Sequence, residues 1–202
     1  MLKLRPDFRA IANWISPGSR VLDLGCGDGT LLALLREHRN IIGYGLEISQ
    51  SKIVKALENQ VNVIQFDLDA GLTEFDSNSF DYVIMSQTLQ AMHFPDKILD
   101  EMLRVGREGI VTFPNFGHWR SRLQVLAGRM PVTNSLPNRW YNTPNIHLCT
   151  LADFENLCAC KNYHILDRSL VDSRHQTRIG SHIAPNLMGE IAVYHFKRTE
   201  PQ

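Results

Sequence analysis

The sequence predicts an α/β chain, a parallel sheet carrying helices on both faces. Three observations predict it. Short apolar, β-branched runs alternate with helical patterns through the first 113 residues. A glycine-rich turn, Gly25-Cys26-Gly27-Asp28-Gly29, separates the first strand-like run from a strongly apolar helix. The composition is that of an ordinary globule: 202 residues, 44% hydrophobic and 21% charged.

The elements follow in order. Residues 7–15 read as a helix with Phe8, Ile11, Trp14 and Ile15 on one face, ended by Pro17-Gly18. Arg20 to Leu24 is a strand. Thr30 to His38 is a helix with Leu31, Leu32, Leu34 and Leu35 inward. Ile41 to Leu46 is a second strand. Ser49 caps a helix through Asn59 whose Ile53, Val54 and Leu57 are predicted to face inward. Val61 to Phe66 is a third strand. Phe80 to Met85 is a fourth, after the turn Asp76-Ser77-Asn78. Pro95 to Val105 is a helix with Ile98, Leu99, Met102 and Leu103 inward, and Gly109 to Phe113 is a fifth strand. After Pro114 the rhythm changes: some 35 residues hold one short helix around Trp119, Leu123 and Leu126, then Gly128, Pro131, Pro137 and Pro144. Thr150 with Asp153 is a capping-box pattern for a helix through Cys158, and 164–171 and 191–196 read as the last strands.

Lys plus Arg equals Asp plus Glu at 21 each, so the formal net charge is +0. A balanced chain is a poor non-specific nucleic-acid binder. No apolar run reaches the length of a membrane span, and the N-terminus lacks the apolar core of a signal peptide, so the expected location is the cytoplasm. The balance is a sum of unequal parts. Residues 1–108 hold 15 acids and 11 bases, a charge of −4; residues 109–152 hold four arginines (Arg120, Arg122, Arg129, Arg139) and no acid, +4; the rest holds six of each. Such asymmetry speaks of ligands or partners rather than fold. Four cysteines do not make a disulfide framework. Cys158 and Cys160, two apart on a helix, point to different faces and chelate poorly, so no metal is expected.

The glycine turn carries the ligand argument. Its spacing, Gly25-x-Gly27-x-Gly29, brings the third glycine one residue earlier than the dinucleotide fingerprint does. Asp23 precedes it by two residues. A carboxylate there repels a pyrophosphate and suits a cationic ligand, such as an ammonium beside a sulfonium. Glu47 ends the second strand about 20 residues on, where an acid accepts ribose hydroxyls, with Ile48 after it. Asp67 ends the third strand and is placed to accept from an adenine amino group, while Leu68 packs the ring. Ser86-Gln87 follow the fourth strand at the pocket floor. These strand ends converge on one crevice. The candidate cofactor-binding set is therefore Asp23, Gly25, Cys26, Gly27, Gly29, Glu47, Ile48, Asp67, Leu68, Ser86 and Gln87.

These residues, at these strand ends, resemble the motifs of class I S-adenosylmethionine-dependent methyltransferases over about residues 10–113. The resemblance implies a Rossmann-like, seven-stranded, mostly parallel sheet with its last strand antiparallel, and S-adenosylmethionine or S-adenosylhomocysteine as the cofactor. The later runs F-P-N-F-G-H-W-R-S-R (113–122) and W-Y-N-T-P-N-I-H (140–147) are similar to the bacterial methionine-biosynthesis family MetW. That similarity implies action with homoserine O-acyltransferase as protein partner. The chain is then one methyltransferase-like domain: a cofactor core at 1–113, an inserted lid or partner segment at 114–149, and a closing helix and strands at 150–202.

The chemistry of the pocket is less explicit. Methyl transfer asks mainly for orientation, because a sulfonium is already activated. His93, His118, Tyr141 and His147 lie near the fourth and fifth strand ends as possible bases, with structural hydrogen bonding the simpler role for His93 and His147. Trp140-Tyr141 is expected to pack as a lid over the cofactor. The fourth strand continues S-Q-T-L rather than the N-P-P-Y tetrad of planar-amine methylation, so no catalytic residue is assigned. Two functions stand side by side. One is a cofactor-binding partner that senses S-adenosylmethionine and activates the acyltransferase, with the arginine segment as its contact face. The other is a methyltransferase for a small anionic acceptor held by those arginines. His93, Arg120, Arg122, Tyr141 and His147 are the substrate or partner candidates.

Overall fold

The computed structural model describes residues 5–171 and 184–199. The elements are α1 (Pro6–Trp14), β1 (Arg20–Leu24), α2 (Thr30–Arg39), β2 (Ile42–Glu47), α3 (Gln50–Glu58), β3 (Asn62–Gln65), β4 (Phe80–Ser86), α4 (Pro95–Val105), β5 (Gly106–Pro114), α5 (Trp119–Leu126), α6 (Leu151–Cys160), β6 (Tyr163–Val171), α7 (Pro185–Met188) and β7 (Ile191–Arg198). They form one seven-stranded sheet in the order β3-β2-β1-β4-β5-β7-β6. The first five strands are mutually parallel, and β7 runs antiparallel to both β5 and β6. The chain order reverses between β1 and β4, which opens a crevice at the carboxyl ends of these two strands. Among the described residues no helix is long and apolar enough to cross a membrane.

Two apolar layers cover the sheet. On one face Phe8, Ile11 and Ile15 from the α1 end meet Leu31, Leu32, Leu35 and Ala56 from α2 and α3, over Val21, Ile84 and Ile110. On the other, Ile98, Leu99 and Met102 of α4 and Phe154 and Cys158 of α6 pack over Leu22, Val83, Val111, Phe113 and Tyr194. The predicted leucine and isoleucine faces of α2 and α4 are buried as the helical period requires. Thr150 and Asp153 form the predicted capping box, each side chain bonded to the other's backbone amide.

One expectation about these helices is corrected. On α3, Ala56 is the buried residue; Ile53 is half-buried, and Val54 and Leu57 face solvent. The cause is a close approach: a Cβ on Gly29 would lie 3.2 Å from the Ala56 methyl and 2.9 Å from Val61. The helix therefore seats on its smallest residue and turns its larger ones outward. The β3–β4 connection, in turn, holds only a 3-10 turn (Leu68–Ala70). Ile42, Tyr44 and Ile64, which share the α4 face of the sheet by alternation and register, are left exposed there.

The stretch after β5 is pinned at both ends. Asn115 is buried and donates to the Asn186 and Gly189 carbonyls while accepting from Gly117 N. At the far end the Ile146 and His147 amides both donate to the Gln90 carbonyl. Between these anchors Leu123, Val125, Leu126, Met130, Val132, Trp140 and Tyr141 are all exposed.

Candidate functional site

The turn after β1 is shaped by backbone geometry. Gly25, Gly27 and Gly29 have φ of +75°, +61° and +75°, a region that favours glycine. The Gly25 and Cys26 amides donate to the Leu46 carbonyl, tying the turn to β2. A Cβ on Gly25 would strike Thr88 Oγ1 at 2.6 Å, whereas one on Gly27 would meet nothing within 4 Å. Gly27 thus faces open space. Cys26 is buried, and burial pushes its thiol up to about 12. A Cβ on Gly45 would lie 2.4 Å from its sulfur, so the β2 glycine makes room for the turn.

Beside this turn is a cavity of about 210 Å3 lined by Arg5, Phe8, Asp23, Gly25, Cys26, Gly27, Asp28, Leu31, Lys52, Ser86, Gln87 and Thr88. Asp23 is 2% exposed and its Oδ1 has no hydrogen-bond partner. Burial pushes its carboxyl up to about 7, opposed by the Arg5 charge and reinforced by Glu47. An orphaned buried acceptor beside an open glycine turn is a site built for a donor. A larger cavity of about 300 Å3 lies between the Leu68–Ala70 turn and α4, lined by Asp69, Phe94, Lys97 and Glu101 among others. It contains neither the glycine turn nor Asp23, though Leu68 lines it.

Glu47 is buried at the end of β2. Its Oε2 accepts from Gly27 N at 3.0 Å, and its Oε1 accepts from Ile48 N and Ser49 N. Lys52 Nζ stands 3.9 Å from the same carboxylate. Ile48 next to it is 60% exposed. Asp67 caps the 3-10 turn by accepting from Asp69 N, and Leu68 is buried in the core. Neither lines the 210 Å3 cavity. Ser86 Oγ lies 3.2 Å from Thr112 Oγ1, and Gln87 sits at φ +56° with its amide donating to Thr112. A non-glycine residue held in the left-handed region is a strain that the surrounding bonds must sustain.

The outer candidates separate into two groups. His93 and His147 come together: His147 Nε2 is 3.4 Å from the His93 carbonyl. Asp69 accepts both the His93 amide at 2.9 Å and its Nδ1 at 2.6 Å. That pairing raises the His93 pKa and lowers that of Asp69. Arg120, Arg122 and Tyr141 do not line the cavity. Arg122 Nε donates to the Gly117 carbonyl at 2.6 Å, and Arg120 lies over the Trp119 ring. Trp140 and Tyr141 are 75% and 62% exposed, packed edge-to-face on each other. The expected lid is therefore absent from the cavity; the loop's return to Gln90 leaves the pair in solvent. The two helix cysteines also diverge, Cys158 buried and Cys160 exposed, and no cluster able to hold a metal occurs among the described residues.

Arg5, Asp7, Lys52, Thr88 and Thr112 were not legible as site residues from strand ends alone. Asp7 did carry a signal: it shares the inward face of α1 with Phe8 and Ile11, and an acid on a buried helical face needs a partner.

The family model for "Methionine biosynthesis protein MetW" matches residues 5–196. The chain belongs to the MetW family. It is 37% identical over 98% of its length to the "Bifunctional methionine biosynthesis protein MetXA/MetW" of Rhodopirellula baltica, of which it spans 33%. It is also 32% identical, over 65% of its length and 57% of that protein's, to a demethylmenaquinone methyltransferase of Renibacterium salmoninarum. Among solved structures, an S-adenosylmethionine dependent methyltransferase from Mesorhizobium loti superposes with a TM-score of 0.71 at 17% identity, covering 98% of this chain and 100% of that one. The magnesium protoporphyrin IX methyltransferase of Synechocystis, solved with bound SAH, gives 0.65 at 18% identity, over 95% and 82%. At these identities the MetW chain shares the class I methyltransferase fold with both.

Proposed function

We propose that this MetW-family chain binds S-adenosylmethionine or S-adenosylhomocysteine at the glycine turn and, in the cytoplasm, acts with and activates homoserine O-acyltransferase. The observation that carries the binding half is the buried, unpartnered Asp23 carboxyl beside the open Gly27 turn. Asp23 suits the ligand's ammonium, Gly25 to Gly29 with Cys26 form the cradle, and Glu47 and Ile48 serve ribose and ring. Asp67 and Leu68 continue that edge, and Ser86 and Gln87 close the floor. The partner half is supported by the relative that joins MetXA, which we read as the acyltransferase, to MetW in one chain. It is supported also by the acid-free 109–152 stretch, whose exposed Trp, Tyr, Met and Arg side chains are types enriched at interfaces. We infer that residues 114–149 are the partner segment of a single domain spanning the chain.

The methyltransferase alternative asked the arginines to hold an anionic acceptor. None of Arg120, Arg122, Arg129 or Arg139 lines the cavity, which favours the partner reading. The test is acyltransferase activity and co-purification with and without this chain, with calorimetry of S-adenosylhomocysteine binding and a methyl-transfer assay alongside. Stimulated acyltransferase with no methylated product supports the reading. Methyl transfer without any effect on the acyltransferase overturns it.

A further inference from the structure

Gln90 holds both ends of the segment that follows β5. It lies in the 3-10 turn Leu89–Ala91 after β4 and is 3% exposed. Its Nε2 donates to the Pro114 carbonyl at 3.2 Å, where the segment begins. Its carbonyl accepts the Ile146 amide at 2.9 Å and the His147 amide at 3.0 Å, where the segment returns. The Phe116 amide donates to the Cys149 carbonyl at 3.0 Å and closes the same junction. The exposed side chains between, from Leu123 to Tyr141, therefore stand on a loop whose two ends meet at one buried residue.

The same stretch of chain reaches the cavity beside the glycine turn, which Gln87 and Thr88 line. The Gln87 amide donates to the Thr112 carbonyl at 2.9 Å and to its Oγ1 at 3.0 Å, and the Thr88 carbonyl accepts the Ala91 amide at 2.9 Å. Residues 87–91 thus form an arch from the cavity to the segment. The end of β5 braces it twice, through Thr112 at Gln87 and through Pro114 at Gln90. The arch carries two unrelieved costs: Gln87 at φ +56°, and Gln90 Oε1, buried with no partner among the described residues. An arrangement that holds a left-handed glutamine and an unmet acceptor competes with relaxed ones in which neither persists. A ligand bonded to Gln87 or Thr88 favours the braced arrangement, and so does a protein seated on the segment, because each binds that arrangement better than a relaxed one.

We propose that Gln90 is a positioning residue that couples the cavity to the 115–145 surface, so that a ligand in the cavity and a protein on the segment each strengthen the binding of the other. The surface fits a partner with an apolar patch rimmed by acids, since the segment exposes Leu126, Met130 and Trp140 and carries four arginines and no acid. Reciprocity requires the two enhancements to be equal. The coupling rests on the reading that the cavity takes S-adenosylmethionine or its demethylated product and that the partner is the acyltransferase.

The experiment is hydrogen exchange on the whole chain, resolved by NMR at the Ile146 and His147 amides, with and without saturating S-adenosylhomocysteine. Acyltransferase affinity is measured under the same two conditions. In wild type the ligand should slow exchange of both amides and tighten acyltransferase binding, each by at least about fivefold, the lower end of ordinary coupling. Gln90→Met keeps the side chain's length and removes the donor to Pro114, and its coupling factor should fall close to one. That factor is a ratio within one protein, so a uniform loss of stability does not move it. Unchanged exchange at 146–147 in the ligand-bound wild type overturns the proposal. So does acyltransferase affinity that is the same with and without ligand, or a Gln90→Met protein that keeps the full factor. If Gln90→Met fails to fold, the wild-type comparisons decide alone. Absence of S-adenosylhomocysteine binding by calorimetry removes the cofactor reading and the coupling with it, and absence of acyltransferase binding in both conditions removes the partner reading likewise. Binding of both without mutual enhancement removes the coupling only.

Discussion

Glu47 Oε2 accepts the Gly27 amide at 3.0 Å, so the acid that ends β2 also holds the turn that follows β1. Its other oxygen accepts the Ile48 and Ser49 amides. One carboxylate therefore fixes two of the loops that frame the crevice before any ligand arrives. Glu47→Ala deprives three backbone donors of their acceptor and should cost about 2–3 kcal/mol, at about 1 kcal/mol for each bond lost. Glu47→Gln keeps one carbonyl oxygen and should cost less. Urea midpoints at constant slope measure both; an Ala variant as stable as wild type would show the bonds to be dispensable.

Gly27 is the turn position with room for a side chain, and that room lies at the cavity. Gly27→Arg should abolish S-adenosylhomocysteine binding by calorimetry. Its folding cost should stay near the 1–2 kcal/mol of one left-handed non-glycine residue. Gly29→Ala provides the contrast, since its Cβ would meet Val61 at 2.9 Å and must displace α3. That variant should lose more stability than Gly27→Arg. The reverse order in thermal denaturation would contradict the geometry.

Asp23 links the site to pH. Its carboxyl, pushed up to about 7 by burial, keeps a proton in the folded chain that the unfolded chain has released above the ordinary 3.8. Folding stability is therefore greatest below that ordinary value and falls as pH rises toward 7, by about 4 kcal/mol at most. Asp23→Asn removes this slope, so its stability relative to wild type should improve between pH 5 and pH 8. In wild type the Arg5 charge lowers and the Glu47 charge raises the pKa of this carboxyl. An ammonium ligand favours the ionised form, so binding should tighten from pH 6 to 8 and release a proton, seen as a buffer-dependent calorimetric enthalpy. A stability difference constant with pH would show that Asp23 is already ionised when buried.

The strand ends were legible because they obey local rules. Asp23, Gly25 to Gly29 and Glu47 lie where a parallel sheet must open, and the alternation of apolar runs locates that opening. What escaped the sequence depends on distance in space. Val54 and Leu57 of α3 look inward by period, but the Gly29–Ala56 approach, set by a residue 27 positions earlier in the chain, rotates them out. Arg5 joins the cavity through the docking of α1 against β6 and β7, and no local pattern encodes that. The arginine segment was visible as a charge excess. Its exposed apolar side chains were not, because helical spacing in α5 gives no sign that the helix buries little beyond Ser121.

His93 and Asp69 yield a second titration, and for His93 its sign is the same as for Asp23. The Asp69 hydrogen bond raises the His93 pKa above its ordinary 6.5. A raised histidine contributes stability below its unfolded value and loses it as pH rises through the folded one. In a histidine-resolved NMR titration, His93 should titrate above 6.5 in wild type and return toward it in Asp69→Asn. An unchanged midpoint in that variant would remove the pair.

The 119–148 surface separates steering from anchoring. Leu126 is 85% exposed and Trp140 75%, and with Leu123, Val125, Met130 and Val132 they make this stretch rich in exposed apolar side chains, the kind of surface that marks a contact. If homoserine O-acyltransferase is what covers them, Leu126→Ser with Trp140→Ser should weaken association at least tenfold, mostly through faster dissociation. Their folding cost should stay within about 0.5 kcal/mol, because neither side chain is buried. Arg120→Glu with Arg129→Glu should instead slow association and flatten its salt dependence, since exposed charges steer more than they hold. Arg122 is the wrong choice for that test: its Nε holds the Gly117 carbonyl at 2.6 Å, so replacing it disturbs the turn as well as the charge. All four substitutions lie away from the cavity and should leave S-adenosylhomocysteine affinity unchanged. Surface plasmon resonance against the acyltransferase at two salt concentrations reads both effects. Unaltered kinetics in both double variants would place the contact elsewhere on the chain.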